Sequence, residues 1–253
     1  MRLTKTQQVR CSFADRAWLG ERARKIIRRR LNERNRRTFH LEDYSDMIAS
    51  WDQFVAHAFR LSAAGRAGLE RQVWLPEPCS EDDGNWESRE VLLKTIGLIV
   101  AATRPQIVVE TGVERGYSSA TWLVNMARAG TGVLYSIDMP RNGVADPHAY
   151  TGQAVPQDLR DDWHLVFGPS RKVLPRLLRE VEMIDVFLHD ADHAYRAQME
   201  EYHTVWPFLR SGGFLISDDV DNSAFIEFAA TTRAASWLLP RPAFGDAVGV
   251  LRK

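Results

Sequence analysis

The chain has 253 residues, of which 45% are hydrophobic and 26% are charged, and its 33 basic residues balance its 33 acidic ones. This composition is typical of one large globular domain, and the longest aliphatic run, Ile96 to Ala102, is too short to span a bilayer. Only two cysteines occur and no secretory signal is evident, which argues against a disulfide framework and against a cysteine-based zinc site, so we expect a cytoplasmic protein.

The basic residues are concentrated near the start of the chain. Residues 1–40 contain 13 Lys or Arg and only three acidic residues, so the rest of the chain carries the opposite excess. Nine of these basic residues lie between Arg22 and Arg37. Such a cluster is typical of a nucleic-acid-binding patch, of an arm that docks on an acidic surface of its own protein, or of a solvated basic helix. The sequence leaves these three interpretations open.

The first part of the chain has helical spacing. From about residue 13 to 75, apolar residues recur every three or four positions, which predicts a helical N-terminal segment over residues 1–80. We expect this segment to serve as a lid or in oligomerisation. Turn-forming and acidic residues are concentrated over residues 76–85, which places the start of a second domain, 81–253, in this stretch. A helix is then predicted from about Ser88 to Thr103.

Beyond Pro105 the pattern changes to short β-branched runs that alternate with helical stretches. The predicted strands are Ile107–Glu110, Val133–Ile137, His164–Phe167, Ile184–His189 and Phe214–Ser217, and the predicted helices lie near 118–129, 170–181, 194–210 and 223–234. This alternation predicts an α/β fold with a Rossmann-like, doubly wound and mostly parallel sheet. A C-terminal antiparallel hairpin, Trp237–Leu239 with Ala247–Leu251, is predicted to complete the sheet.

A nucleoside-binding site is predicted where the first two strands end. Gly112 and Gly116 lie in the turn between the first strand and its helix, where glycines allow a ligand to approach the backbone. The second strand ends at Asp138, where an acid can accept both ribose hydroxyls. The dinucleotide motif Gly-x-Gly-x-x-Gly is not matched, and Glu114 opposes a pyrophosphate. A cationic nucleoside, S-adenosylmethionine, fits this turn better.

The segment from Glu110 to Ser118, Glu-Thr-Gly-Val-Glu-Arg-Gly-Tyr-Ser, resembles the first motif of the class I S-adenosylmethionine-dependent methyltransferases. It is most similar to the motif of the metal-dependent catechol and caffeoyl-coenzyme A O-methyltransferases. Gly168-Pro-Ser170 resembles the segment that lies beside the adenine in that group. The resemblance covers about residues 88–253 and implies a cofactor site. The implied cofactor-binding residues are Glu110, Gly112, Gly116 and Ser118 for the methionine part, Asp138 for the ribose, and Ser170 with Arg171 for the adenine.

Three carboxylates follow the fourth and fifth strands. Asp190 comes after the fourth strand, and Asp218 and Asp219 come after the fifth. Because these strands are expected to be neighbours, the carboxylates should converge on one crevice, where a hard divalent cation, Mg²⁺ first, would relieve their repulsion. The resembled enzymes ligate their metal from these positions. An Asp at the third position matches the sugar O-methyltransferases of macrolide and aminocoumarin pathways.

The reaction that this resemblance implies is transfer of the sulfonium methyl to a substrate hydroxyl, for which a base must accept the proton. Asp192 and His193 are the two candidates: His193 aligns with the lysine base of the catechol enzymes, and Asp192 with an Asp given that role in the sugar enzymes. The sequence does not separate them. His189 and His193 also have a spacing that zinc could use, but no third His or Cys lies nearby in the sequence.

The sequence is also compatible with two functions other than O-methylation of a small molecule. One is methylation of nucleic acid with the help of the basic arm, although the residues after the fourth strand, Asp-Ala-Asp-His, do not match the base-holding motif of amino-methyltransferases. The other is a non-catalytic binding module, which would have little reason to keep mutually repelling carboxylates. We therefore expect a small-molecule acceptor (a catechol, a sugar or a natural-product scaffold), no membrane partner and a possible homo-oligomer.

Overall fold

The computed structural model describes residues 39–77, 86–141, 146–241 and 244–253. The chain divides into two units, Met1–Phe39 and His40–Lys253. Every element described below belongs to the second unit. The Arg22 to Arg37 cluster lies outside the described residues, and the three interpretations of it stay open.

Seven strands form one sheet in the order β3-β2-β1-β4-β5-β7-β6. Strands β1 to β5 are parallel, whereas β7 is antiparallel to both β5 and β6. The predicted fold class, including the C-terminal antiparallel pair, is therefore confirmed. The strand bounds are Ile107–Thr111, Val133–Asp138, Trp163–Phe167, Ile184–His189, Leu209–Ser217, Ala235–Arg241 and Asp246–Arg252.

Helices connect these strands. The bounds of α1 to α8 are Trp51–Phe59, Ala63–Glu70, Trp86–Thr103, Tyr117–Ala129, Pro147–Tyr150, Ser170–Val181, Tyr195–Val205 and Ala224–Thr232. The stretch predicted as one helix near 194–210 ends earlier, at Val205, and Leu209 already pairs with Ile184 of β4. The physical reason is Pro207, which has no N–H to continue the helix. Among the helices of the described residues, none combines the length and apolar character that a membrane crossing requires.

The central strands are buried on both faces, as expected for parallel strands that helices cover. In β1 and β5, residues Val108, Val109, Leu215 and Ile216 have no exposed surface. The order of winding reverses at β1, which has β2 on one side and β4 on the other. The crevice beyond the carboxyl ends of these strands is therefore the expected ligand position.

Residues 47–59 cover the outer edge of the sheet at β6. The backbone N–H of Ala49 donates to the carbonyl oxygen of Leu238, and the N–H of Leu238 donates to Met47. Helix α1 follows directly, and Ser50 and Gln53 form a capping box at its start. Phe54 of this helix is fully buried, with its ring 5.5 Å from that of Trp237 in β6. This segment therefore protects an edge that would otherwise expose unpaired backbone groups.

We predict that Phe54→Ala lowers the free energy of unfolding by about 3 to 5 kcal/mol, because a fully buried aromatic side chain is lost and a cavity is left. Urea denaturation followed by circular dichroism measures this change. The matched control is Phe244→Ala, because Phe244 is 39% exposed and should lose about 1 kcal/mol or less. Equal losses in the two variants would contradict the packing of α1 on β6.

Candidate active site

A cavity of about 290 Å³ lies beyond the carboxyl ends of β1, β4 and β5. It brings together the turn after β1, the three predicted metal-binding aspartates and the start of α3. Of the described residues predicted to bind the cofactor, Ser118 alone lines it. The lining residues are Arg89, Leu92, Leu93, Val113, Glu114, Arg115, Tyr117, Ser118, Asp190, Asp218, Asp219 and Arg241.

The glycines of the first turn are required by contacts within the protein. Gly112 has a φ of +88°, and a Cβ there would lie 1.8 Å from the carbonyl oxygen of Asp190. Gly116 has a φ of +83°, and its Cβ would lie 2.6 Å from the Cα of Gly152. Both conformations favour glycine. The sequence analysis predicted that these glycines let a ligand approach the backbone. The structure adds a second reason for Gly112: without a side chain there, the backbone of Asp190 after β4 can pack against the turn after β1.

Asp138 joins the ends of the first two strands. Its carboxylate accepts hydrogen bonds from the backbone N–H of Glu114 at 2.9 Å and of Met139 at 2.7 Å. Burial raises the pKa of Asp138, although these N–H groups act in the opposite direction. Asp138 therefore stabilises the loop after β1. It does so at the end of β2, where it was predicted to bind a ribose.

Glu114 is not an unopposed negative charge, in contrast to the expectation from the sequence. Its carboxylate lies 2.5 Å from Nη1 of Arg141 and 3.8 Å from a guanidinium nitrogen of Arg89. Because these arginines offset the charge, Glu114 opposes a pyrophosphate less than its position in the motif indicates. The preference for S-adenosylmethionine therefore has to rest on other features of the site.

Glu110 faces the interior and not the cavity. Its Oε1 accepts hydrogen bonds from the hydroxyls of Ser119 and Ser136, and Ser136 in turn accepts one from Nε1 of Trp163. Burial raises the pKa of Glu110 to about 7, and this effect outweighs the hydroxyl donors that lower it. Glu110 therefore links β1 to β2 and α4 through hydrogen bonds. It lies behind the turn where it was predicted to contact the methionine part of the cofactor.

The raised pKa of Glu110 makes stability depend on pH. The folded-state pKa of about 7 exceeds the ordinary value of 4.5, so this group stabilises the fold fully below about pH 4.5, and that contribution is lost as the pH rises through 7. We predict that Glu110→Gln, measured against the wild type by urea denaturation, gains about 3 kcal/mol in relative stability between pH 4.5 and pH 8.

Glu90→Gln is the control for this effect, because the Glu90 side chain is 44% exposed. Its stability should follow the wild-type pH profile. A Glu110→Gln profile parallel to that of the wild type would contradict the buried, partly protonated carboxyl.

Ser170 and Arg171, the predicted adenine contacts, begin α6. The Ser170 hydroxyl hydrogen-bonds to the buried Glu201, while Arg171 is exposed. Glu201 also accepts a hydrogen bond from Thr111 at 2.6 Å and lies 2.8 Å from Nδ1 of His189. His189 is fully buried in this network. Its ring centre lies 5.6 Å from that of His193, but its Nδ1 contacts Glu201.

The three predicted metal ligands lie beside two basic side chains, Arg241 and His193. The sequence did not predict that these would act as counter-ions. Arg241 at the end of β6 donates from Nη1 to Asp218 at 2.7 Å and from Nη2 to Asp219. His193 lies with Nδ1 2.9 Å from Asp219 and with Nε2 3.5 Å from Asp190. We call Asp190, Asp218, Asp219, His193 and Arg241 the acidic cluster.

The charges of this cluster shift one another's protonation. Burial raises the pKa of Asp218, and Asp190 and Asp219 add to the effect. The pKa of Asp219 is instead well below its usual range, because His193 and Arg241 outweigh burial. Burial lowers the pKa of His193, but its hydrogen bonds to Asp190 and Asp219 prevail and raise the value to about 10. His193 is therefore protonated at neutral pH in the protein alone.

The donor atoms of the cluster fit a divalent cation. One ligand atom each from Asp190, His193 and Asp218 lies within 4.8 Å of the others. Arg241 also pairs with Asp246, 2.8 Å from Nε, so four carboxylates face two cations, and a formal charge of −2 is left. Asp219, predicted as a ligand, has one oxygen on Arg241 and the other on His193. The structure thus brings Asp190 and Asp218 together as predicted and places Asp219 on the two protein cations.

Asp192 and His193 differ in their surroundings. His193 belongs to the acidic cluster, whereas Asp192 accepts a hydrogen bond from the backbone N–H of Ala194 at 3.3 Å, just before α7 begins. Arg241 is the functional residue that sequence reasoning missed. The signal for it was weak: a single charged residue at the end of the otherwise apolar run Trp237-Leu-Leu-Pro-Arg241.

Comparisons with known proteins show what part of this chain is similar to. A family model described as a methyltransferase domain matches residues 109–220, which include Asp138 and all three aspartates of the cluster. No curated protein matches the chain significantly in sequence. The likeness to methyltransferases that was predicted from the first motif is confirmed by the family match.

Solved structures share the fold at low sequence identity. The Podospora anserina methyltransferase PaMTH1 with S-adenosylhomocysteine bound is 16% identical, with a TM-score of 0.52 over 80% of this chain and 94% of that one. CalS11, a TDP-rhamnose 3'-O-methyltransferase of calicheamicin biosynthesis, is 19% identical, with a TM-score of 0.50 over 76% and 95%. A Staphylococcus aureus protein designated a caffeoyl-CoA O-methyltransferase is 12% identical, with a TM-score of 0.52 over 78% and 95%. Residues 109–220 therefore match a methyltransferase domain model, and the chain shares its fold with these solved methyltransferases.

Proposed function

We propose that the protein transfers the methyl group of S-adenosylmethionine to a hydroxyl of a small molecule, and that a divalent cation held in the acidic cluster assists the transfer. One observation carries this proposal. The turn after β1, which belongs to the matched methyltransferase domain, and the three aspartates of the acidic cluster line the same cavity. A sulfonium methyl and an acceptor oxygen have to meet at such a place.

The cofactor is proposed to lie along the carboxyl ends of β1 and β2. Ser118, at the first turn of α4, lines the cavity and is the candidate for the methionine part, together with the backbone N–H groups of that helix start. Asp138 would accept the ribose hydroxyls, and Ser170 with Arg171 would flank the adenine. Glu110 supports this arrangement from behind, because it fixes the strands that carry the turn.

The cation is proposed to be held by Asp190 and Asp218, with Asp219 and His193 beside them. Carboxylate oxygens favour Mg²⁺, and the nitrogen of His193 makes Mn²⁺ a second candidate. When bound, the cation would act as a Lewis acid that lowers the pKa of the acceptor hydroxyl. The chain's own contribution is the excess negative charge of the cluster, and the charges of Asp190 and Asp219 add to burial in raising the pKa of Asp218.

The proton of the acceptor has to leave as its oxygen attacks the methyl carbon and the carbon–sulfur bond breaks. Asp192 and His193 are the proposed acceptors of this proton. With a pKa of about 10, His193 already holds a proton at neutral pH. Asp190 and Asp219 raise this pKa, so a bound cation that neutralised them would lower it. His193 could then lose its proton and act as a base. Asp192 would serve if His193 stays charged.

The acceptor would lie on the side of the cavity formed by α3. Leu92 and Leu93 supply an apolar surface there, and Arg89 stands beside Tyr117 with its guanidinium carbon 5.2 Å from the ring centre. An apolar wall with one cationic group suits a catechol, a sugar or a natural-product scaffold that carries polar substituents. That residues 1–80 act as a lid or in oligomerisation stays a prediction.

We predict that Asp138→Ala weakens S-adenosylmethionine binding by about 1.5 to 3 kcal/mol, because a charged acceptor for the ribose is removed. Isothermal titration calorimetry on the purified chain measures this loss. Asp158→Ala, at an exposed position, is the control and should bind as the wild type does. Tight binding of NAD without binding of S-adenosylmethionine would overturn the cofactor assignment.

We predict that methyl transfer stops after exhaustive chelation and returns with Mg²⁺ or Mn²⁺, and that Asp218→Asn stays inactive with either ion. The readout is S-adenosylhomocysteine formed across a panel of catechols, glycosides and RNA. Asp158→Asn should retain the wild-type dependence on metal. Full turnover without metal would refute the cation, and turnover on RNA alone would favour the nucleic-acid alternative.

A further inference from the structure

Arg241 is the most completely paired cation of the described site. Its side chain is 3% exposed, and each of its three nitrogens faces a different carboxylate: Nη1 faces Asp218, Nη2 faces Asp219 and Nε faces Asp246. A guanidinium presents these donors as a rigid planar fork. The fork therefore fixes the separation of Asp218 and Asp219 without help from a bound ion.

The register of the sheet holds this arrangement in place. Arg241 pairs directly with Asp246 across the β6–β7 hairpin. On the facing side, the N–H of Asp218 donates to His189 of β4, and the N–H of Val220 donates to Ala247 of β7. The backbone segments that carry the guanidinium and the carboxylates are thus both held by strand pairing and backbone hydrogen bonds.

A divalent cation would need the same oxygens. Asp218 offers one of its two oxygens to Arg241, and Asp219 has both oxygens on protein cations. A cation placed between Asp190 and Asp218 would also lie close to the positive guanidinium in a buried site, where charges are poorly screened. The ion gains the uncompensated carboxylate charge but meets repulsion from Arg241.

We propose that Arg241 is an internal counter-cation that competes with the divalent cation for Asp218 and Asp219 and thereby keeps ion binding weak and exchangeable. This inference rests on the proposed function, because it takes the acidic cluster to be the ion site. The inference gives Arg241 a role in setting the affinity for the ion, in addition to the roles proposed for the turn after β1 and for the aspartates. The cluster keeps its shape while the ion is absent, and the affinity for the ion is set by a residue that is not a ligand.

The test is Mn²⁺ binding to the full-length chain, measured by the electron paramagnetic resonance signal of free Mn²⁺, with S-adenosylmethionine binding measured separately by calorimetry. Arg241→Gln keeps a planar polar group but removes the charge, and it should bind Mn²⁺ at least tenfold more tightly than the wild type. Asp218→Asn should abolish that binding in both backgrounds, which locates the ion in the cluster. Arg210→Gln is the control, because Arg210 pairs with Asp185 outside the cluster, and its Mn²⁺ affinity should equal that of the wild type.

Unchanged or weaker Mn²⁺ binding by Arg241→Gln overturns the competition. In that case the proposed function still stands if the wild type binds Mn²⁺ and Asp218→Asn abolishes this binding. Absence of Mn²⁺ binding from both the wild type and Arg241→Gln overturns the ion site together with the competition. If Arg241→Gln does not fold, Arg241→Met decides, because it also removes the charge and keeps an unbranched side chain. A gain of at least threefold in Mn²⁺ affinity supports competition, and no gain overturns it.

Discussion

Electrostatic repulsion among carboxylates at the end of a parallel sheet is the constraint on which the rest of this structure depends. Parallel strands bring the residues that follow them to one edge, so Asp190 and the Asp218–Asp219 pair cannot avoid each other. The protein relieves part of the repulsion with Arg241 and His193, while burial, with Asp190 and Asp219 adding to it, raises the pKa of Asp218. Under the proposed function, the excess negative charge of the cluster is what would attract the positive groups, a metal ion and a sulfonium.

The position of the acids could be predicted from the sequence because it follows from topology alone. Once β4 and β5 are neighbours in a parallel sheet, the residues after each strand share a crevice, and no side-chain detail is needed. The same holds for Asp138, which ends β2 beside the turn after β1. Predictions of this kind depend on strand order, which the alternation of helices and strands restricts strongly.

The counter-charge could not be predicted, because it depends on register. Arg241 reaches Asp218 only because β7 runs antiparallel beside β5, and β6 pairs with β7 so that Arg241 faces Asp246. Nothing in the hairpin sequence reports that alignment. Glu110 is a similar case: its motif position indicated the ligand, but its neighbours Ser119 and Ser136 become visible only when β1 and β2 are aligned. Side-chain partners across strands are where sequence reasoning failed.

The match to the methyltransferase domain ends at residue 220, and Arg241 lies beyond it. Asp218 and Asp219 and the guanidinium that pairs with both of them thus lie on separate pieces of chain. A fragment trimmed to the matched residues would keep the acids and lose their strongest internal partner, so the fragment is a poor surrogate for the whole protein. Conversely, exchanging the C-terminal hairpin between proteins of this fold offers a way to retune how strongly the crevice attracts cations without altering any residue of the cofactor turn.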